Sequence, residues 1–164
     1  MKQSTIYDIP LVNIAGEATT LAPYAGQVLL VVNVASKCGF TPQYAKLEAL
    51  QQANQARGVT VLGFPSNQFL NQEPGSNAEI NSFAHDCYNV TFPMFDKVMV
   101  NGPERAPVYQ YIAEHIEHKP WKLIPWNFTK ILIDQTGRVR QRYLPTTSFK
   151  TIQKAIDRLL TSAA

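Results

Sequence analysis

The sequence predicts a single α/β domain, residues 1–164, in which helices flank a central mixed sheet. Two apolar runs, Val28–Val34 and residues 59–64, have the length and composition of strands buried on both faces, as in a parallel sheet. A helical segment separates these runs, which indicates a βαβ unit with a right-handed crossover. Later in the chain, two more strand-like runs flank residues 134–137, which indicates an antiparallel hairpin.

Turn and cap residues predict the bounds of the N-terminal elements. Residues 6–14, with the Ala-Gly turn that follows them, predict a short N-terminal hairpin. The crossover helix should span residues 42–56, because Thr41 can cap it and proline fits the first helical position. Gly58 should end this helix before the second strand begins.

A polar loop, residues 66–75, leaves the carboxyl end of the second strand, at the same edge of the sheet as the loop after the first strand. Ser76 and Glu79 then form a capping box that starts another helix. One apolar stripe runs along this helix, formed by Ile80, Phe83, Ala84 and Cys87. The stripe predicts that the helix packs on the core, which makes a buried core position the alternative for Cys87.

The C-terminal elements complete the fold. An inserted helix over residues 107–116 precedes the hairpin, whose strands span residues 128–133 and 139–143. A last amphipathic helix spans residues 149–160. The order βαβ, inserted helices, ββα is that of a thioredoxin-like fold.

Composition and charge argue against several classes of function. The net charge is only +3, and the period-two spacing of Arg138, Arg140 and Arg142 indicates a solvated strand face rather than a nucleic-acid surface. No stretch approaches the ~18 apolar residues of a membrane span, and the N-terminus has no signal region, so we expect a cytoplasmic protein. The two cysteines lack metal-ligand spacing, so we expect no metal and no bound cofactor.

Cys38 is the strongest candidate for a reactive residue. It falls between the carboxyl end of a buried strand and a predicted helix N-terminus, where open α/β sheets place their ligand sites. The helix dipole at such a position favours the negatively charged thiolate. The alternative is an inert core residue, since free cysteines are often buried.

A thiolate that attacks a peroxide needs hydrogen-bond donors around its sulfur, and neutral amides and the indole N–H are suitable. Gln68 and Gln72 lie in the loop after the second strand, and Trp126 and Asn127 precede the third. Each also has an ordinary reading, as a loop residue or a core aromatic. From spacing alone their roles stay open.

Five segments together closely resemble the glutathione peroxidase family, in family order and over nearly the whole chain. These segments are Asn33-Val34-Ala35-Ser36-Lys37-Cys38-Gly39-Phe40-Thr41, Phe64-Pro65-Ser66-Asn67-Gln68-Phe69, Gln72-Glu73-Pro74-Gly75-Ser76-Asn77, Phe92-Pro93-Met94-Phe95 and Trp126-Asn127-Phe128-Thr129-Lys130. The resemblance implies a peroxide-reactive Cys38 surrounded by Gln72, Trp126 and Asn127. It implies a thiol peroxidase that reduces hydrogen peroxide and organic or lipid hydroperoxides in defence against oxidative stress.

Two departures from the family pattern concern the reduction step. Ser66 stands where members often carry a cysteine, and Ala84 stands where cysteine-type members commonly carry the resolving cysteine. Cys87, one helical turn later, is the candidate for resolving Cys38 through a disulfide. The resemblance then implies recycling by a thioredoxin-type protein or by glutathione, with thioredoxin expected. The short segment of residues 117–125 lacks the insertion of the family's tetramers, so we expect a monomer.

Two other functions remain open at this point. A thiol-based redox sensor would undergo the same oxidation of Cys38 but would pass its disulfide to a partner protein. A thioredoxin-like binding module would carry both cysteines as structural residues. Peroxide turnover distinguishes the enzyme from the binding module, and a trapped mixed disulfide with one dominant partner would indicate the sensor.

Overall fold

The computed structural model describes residues 5–162. Its strands are β1 (Leu11–Val12), β2 (Ala18–Thr19), β3 (Val28–Val34), β4 (Val59–Pro65), β5 (Lys130–Ile133) and β6 (Val139–Tyr143). Its α-helices are α1 (Gln43–Asn54), α2 (Asn77–Tyr88), α3 (Pro107–His115) and α4 (Phe149–Ser162). Single 3₁₀ turns form at Ile6–Asp8, Ala22–Tyr24 and Gln55–Arg57. Within the described range, no helix is long and apolar enough to cross a membrane.

The order of elements confirms the predicted thioredoxin-like α/β fold, with an N-terminal hairpin (β1 and β2) and an inserted helix (α3). The main sheet has the strand order β4-β3-β5-β6. Strands β3 and β4 are parallel and end together, with Val34 opposite Pro65. Strand β5 runs antiparallel to β3, with its first residue, Lys130, opposite Val32. The start of β5 therefore lies at the same end of the sheet as the carboxyl ends of β3 and β4.

Three connections meet at this end, which we call the thiol edge. They are the loop after β3 with Cys38, residues 66–76 after β4, and residues 126–129 before β5. The turn at residues 134–137 lies at the opposite end, because Ile133 pairs with a residue near the start of β3. The topology thus brings distant parts of the sequence to one edge.

Side chains of β3 alternate between two hydrophobic clusters, one on each face of the sheet. Even-numbered residues such as Leu30 pack with α1, α2 and α4, and odd-numbered residues such as Val31 pack with α3. Every residue of β3 is buried, as the apolar run predicts. The result is a three-layer arrangement that holds the loops of the thiol edge on rigid strands.

Helix α1 begins later than predicted, because the hydroxyl of Thr41 does not cap it. That hydroxyl accepts a hydrogen bond from the N–H of Cys38 at 2.9 Å and donates one to the carbonyl of Ala35 at 2.8 Å. The helix starts at Gln43 instead. Thr41 therefore braces the cysteine loop rather than the helix.

Strand β5 also begins later than predicted, at Lys130 rather than at Phe128. Phe128 has a φ of 62°, a left-handed conformation that an extended strand cannot contain. Its N–H donates instead to the carbonyl of Asn33 at 2.7 Å. The capping box of α2 is confirmed, with reciprocal hydrogen bonds between Ser76 and Glu79.

Candidate active site at the thiol edge

Cys38 lies in a tight loop between β3 and α1. Its thiol is free, and the residue is 9% exposed. The Sγ atom accepts a hydrogen bond from the backbone N–H of Phe40 at 3.3 Å. Because an N–H directed at sulfur stabilises negative charge, this loop is suited to hold a thiolate.

The loop after β4 places Gln72 beside the cysteine loop. The backbone carbonyl of Gln72 accepts a hydrogen bond at 3.0 Å from the N–H of Lys37, the residue before Cys38. The side-chain Oε1 of Gln72 accepts another from Nδ2 of Asn127 at 2.9 Å, across 55 positions of sequence. The structure therefore joins two of the predicted site residues directly and holds one of them against the cysteine loop.

The turn that carries Trp126 is fixed to the centre of the sheet. The carbonyl of Trp126 accepts hydrogen bonds from Nδ2 of Asn33 at 3.1 Å and from Oγ1 of Thr129 at 2.7 Å. The indole packs on Phe69, with 5.5 Å between ring centroids. Asn127 is buried, and its Oδ1 atom has no hydrogen-bond partner. These contacts leave the turn little freedom to move.

The sulfur of Cys38 has no direct hydrogen bond, within residues 5–162, from the side chains of Gln72, Trp126 or Asn127. Trp126 packs against the same hydrophobic cluster that contains Cys38. The four predicted residues thus share the thiol edge, while their catalytic roles remain predictions.

Cys87 occupies a different environment from the one its apolar stripe predicts. Ile80 and Ala84 are buried, but Cys87 is exposed and its thiol is free. Tyr88 takes the last core-facing position of α2, stacking on Tyr44 with 5.4 Å between ring centroids. The alternative of a buried core position for Cys87 is therefore excluded.

The sequence profile named glutathione peroxidase matches residues 6–113 of the chain. The chain belongs to the glutathione peroxidase family. It is 46% identical over 157 residues to the glutathione peroxidase homolog BsaA of Bacillus subtilis, covering 95% of this chain and 98% of that protein. It is 45% identical over 163 residues to the thioredoxin/glutathione peroxidase BtuE of Escherichia coli, covering 87% and 89%.

A solved structure agrees with this placement. The crystal structure of GPX1 from T. cruzi superposes with a TM-score of 0.79 at 31% identity, covering 98% of this chain and 99% of that one. The family resemblance seen in the five sequence segments is thus confirmed. As a family member the protein is a thiol peroxidase, an enzyme that reduces hydroperoxides.

Two buried polar residues of the peroxidase had no role in the sequence-based assignment. Asn33 lies among aliphatic residues in β3, and a lone amide in such a run is a signal that could have identified it. Glu73 follows Gln72 and is fully buried, and this burial raises the pKa of its carboxyl. In sequence it is only one acidic residue in a polar loop, so nothing distinguished it.

Proposed function

We propose that Cys38 is the peroxide-reactive thiol and that Gln72, Trp126 and Asn127 assist it. The observation that carries this proposal is the hydrogen bond between Asn127 and Gln72, beside a loop that already directs a backbone N–H at the sulfur. Two neutral amides from distant segments meet beside the loop that carries a free thiol. Such an arrangement suits stabilisation of a thiolate and of a departing oxygen.

The oxidation step converts the thiol and one hydroperoxide into a sulfenic acid and an alcohol, or water when the substrate is hydrogen peroxide. The thiolate attacks the terminal peroxide oxygen, so that an S–O bond forms and the O–O bond breaks. The proton that the thiol gave up ends on the departing oxygen. Because Oε1 of Gln72 is occupied by Asn127, its Nε2 group remains to donate to the reacting atoms.

Cys87 is proposed to resolve the sulfenic acid, forming an S–S bond with Cys38 as water leaves. Its exposure favours this role, because an accessible thiol can also meet an external reductant. A disulfide requires Cα atoms within about 7 Å, so the C-terminal end of α2 would have to unwind. A dithiol protein of the thioredoxin type would then reduce the disulfide in a cytoplasmic, monomeric enzyme.

Steady-state turnover with NADPH tests the proposal, comparing a thioredoxin system with a glutathione system. Cys38→Ser should abolish peroxide consumption with both systems while the fold is retained. Cys87→Ser is the matched control: it should still give one turnover of oxidation but lose thioredoxin-dependent recycling.

Three outcomes would contradict parts of this proposal. Peroxidase activity retained in Cys38→Ser would exclude Cys38 as the reactive thiol. Oxidised wild-type protein with a free Cys87 by mass spectrometry would exclude its resolving role, and equal turnover with glutathione would exclude thioredoxin preference. One dominant trapped mixed disulfide would instead indicate a redox relay.

A further inference from the structure

Two adjacent hydrogen bonds tie the cysteine loop to the Gln72 loop. The N–H of Ser36 donates to Oε1 of Glu73 at 3.1 Å, and the N–H of Lys37 donates to the carbonyl of Gln72 at 3.0 Å. Cys38 is the next residue in one loop, and Gln72 carries the proposed donor in the other. These two bonds therefore set where the sulfur lies relative to the Gln72 amide.

Glu73 is held rigidly by its own backbone. Its N–H donates to Oδ1 of Asn67 at 2.8 Å, and its carbonyl accepts a hydrogen bond from Nζ of Lys97 at 2.9 Å. The residue is 0% exposed. Its side chain can therefore hold the N–H of Ser36 in a fixed position.

Stability alone would not favour a buried carboxyl group with an incomplete set of hydrogen bonds at this position. Its Oε2 atom is buried without a close hydrogen-bond partner. Burial raises the pKa of the Glu73 carboxyl, and the hydrogen bonds from Ser36, with Lys97 and Lys37, offset this only in part. Unpaired buried polar atoms are uncommon in proteins, so this oxygen needs an explanation.

We propose that Glu73 is a positioning residue for the peroxide reaction, acting through the backbone of Ser36 to hold Cys38 against Gln72. The proposal rests on the function proposed above for Cys38 and Gln72. What the reaction uses is the length and acceptor geometry of this side chain, because it is Oε1 that meets the N–H of Ser36.

Single-turnover oxidation of the pre-reduced protein by hydrogen peroxide tests this role with three variants. Glu73→Gln keeps an acceptor at the same length and should stay within about threefold of the wild-type rate, whereas Glu73→Leu and Glu73→Asp lose or shorten it and should slow oxidation about 10- to 100-fold. Equal rates in Glu73→Gln and Glu73→Leu would overturn the proposal. If Glu73→Leu does not fold, an unchanged rate in Glu73→Asp would overturn it as well.

A matched control separates positioning from general destabilisation. Glu79 is an exposed acid whose carboxylate caps α2 through the N–H of Ser76, and it makes neither of the two bonds that join the loops. Glu79→Ala should lower the melting temperature and leave the oxidation rate unchanged. If Glu79→Ala slows oxidation as much as Glu73→Leu does, the effect of Glu73 is one of stability.

A double-mutant cycle with Gln72→Ala shows whether Glu73 acts on the proposed donor. If Glu73 positions the sulfur against the Gln72 amide, its effect depends on the presence of that amide. Glu73→Leu should therefore slow oxidation several-fold less in the Gln72→Ala background than in the wild-type background. Full additivity would overturn the proposal. A wild-type protein that does not consume peroxide would instead contradict the proposed function itself, so the two failures are distinguishable.

Discussion

Two buried carboxylates lie at opposite ends of the main sheet and differ in how many hydrogen bonds they accept. At the turn end, Asp134 accepts hydrogen bonds from the N–H and hydroxyl of Thr136, from the N–H of Arg138 and from the guanidinium of Arg140. At the thiol edge, Glu73 accepts one from Ser36, and its second oxygen has none. Both oxygens of the carboxylate are therefore hydrogen-bonded at the turn end, whereas only one is at the thiol edge.

The pKa values of the two groups follow from these contacts. Burial raises the pKa of Asp134, but the hydrogen bonds from Thr136 and Arg140 outweigh burial and leave it below its ordinary value. For Glu73 burial outweighs the Ser36 contacts and the nearby lysines, so the pKa is raised. The hydrogen bonds at the turn end therefore favour stability, whereas the thiol edge keeps a buried carboxyl that lacks a full set of hydrogen bonds next to the loop of Cys38.

The largest effect should come from the amide pair at the thiol edge. Gln72→Ala and Asn127→Ala should each slow single-turnover oxidation of Cys38 by ~10²-fold, since a preorganised donor to developing charge is typically worth that much. Stopped-flow measurement at several peroxide concentrations gives the second-order rate constant. Because Asn127 orients Gln72, the double variant should lose much less than the product of the two single effects.

Unchanged oxidation rates in both single variants would contradict this difference between the two ends, because the buried amides of the thiol edge would then have no role in the reaction. A control is Gln68→Ala, in the same loop. Gln68 is directed at the backbone of Val100 and Asn101 rather than at Gln72. It should affect stability more than oxidation.

The turn end should show the opposite pattern. Asp134→Ala should lower the free energy of unfolding by about 1–3 kcal/mol, because it removes a charged acceptor from several donors at once. Urea titration measures this loss, and the oxidation rate of Cys38 should not change. An oxidation rate that fell together with stability would show that the two ends are coupled.

The pH dependence of this loss has a definite sign. Since folding lowers the pKa of Asp134, its contribution is fully present above its unfolded value of 3.8 and is lost as pH falls through the folded pKa. The stability difference between wild type and Asp134→Ala should therefore be constant near neutral pH and shrink in acid.

Much of the fold could be predicted from sequence, but only where a local pattern determines the structure. The apolar runs of β3 and β4, the capping box of α2 and the left-handed Gly58 after the 3₁₀ turn all follow from short-range physics. The meeting of Gln72 with Asn127 depends on sheet order, and the family resemblance, not spacing, predicted it.

The failures have tertiary causes. Cys87 fits the helical stripe, yet Tyr88 occupies the core-facing position because Tyr44 offers its ring a partner. Thr41 is a good helix cap by type, but the cysteine loop uses its hydroxyl instead. Glu73 could not be distinguished from an exposed loop acid, since burial is set by the packing of two loops.

Lys130 is a buried cation at the thiol edge, and its replacement should have the smallest of these effects on stability. It is 0% exposed, and among the described residues its Nζ contacts neutral groups: Oε1 of Gln43 at 2.5 Å, the carbonyl of Pro145 at 3.4 Å, and the ring of Phe149 at 5.0 Å from the centroid. Burial, with a smaller contribution from Lys46, lowers its pKa from 10.5 to about 8.

Lys130→Met should raise the free energy of unfolding at pH 7 by roughly 1–2 kcal/mol, because it removes a buried charge while losing the bond to Gln43. Below pH 8 the lysine is protonated in both states, and the folded protein carries the full cost of burial. Between about 8 and 10.5 only the unfolded state stays protonated, so wild-type stability rises relative to the variant by about 3 kcal/mol in all, and the advantage of the variant is lost and then reversed. Urea titrations from pH 7 to 10.5 measure this, with exposed Lys154→Met as the control that should change little. A variant less stable than wild type at pH 7 would mean that Gln43, Pro145 and Phe149 together outweigh burial, and that the buried cation stabilises the thiol edge as the bonds around Asp134 stabilise the turn.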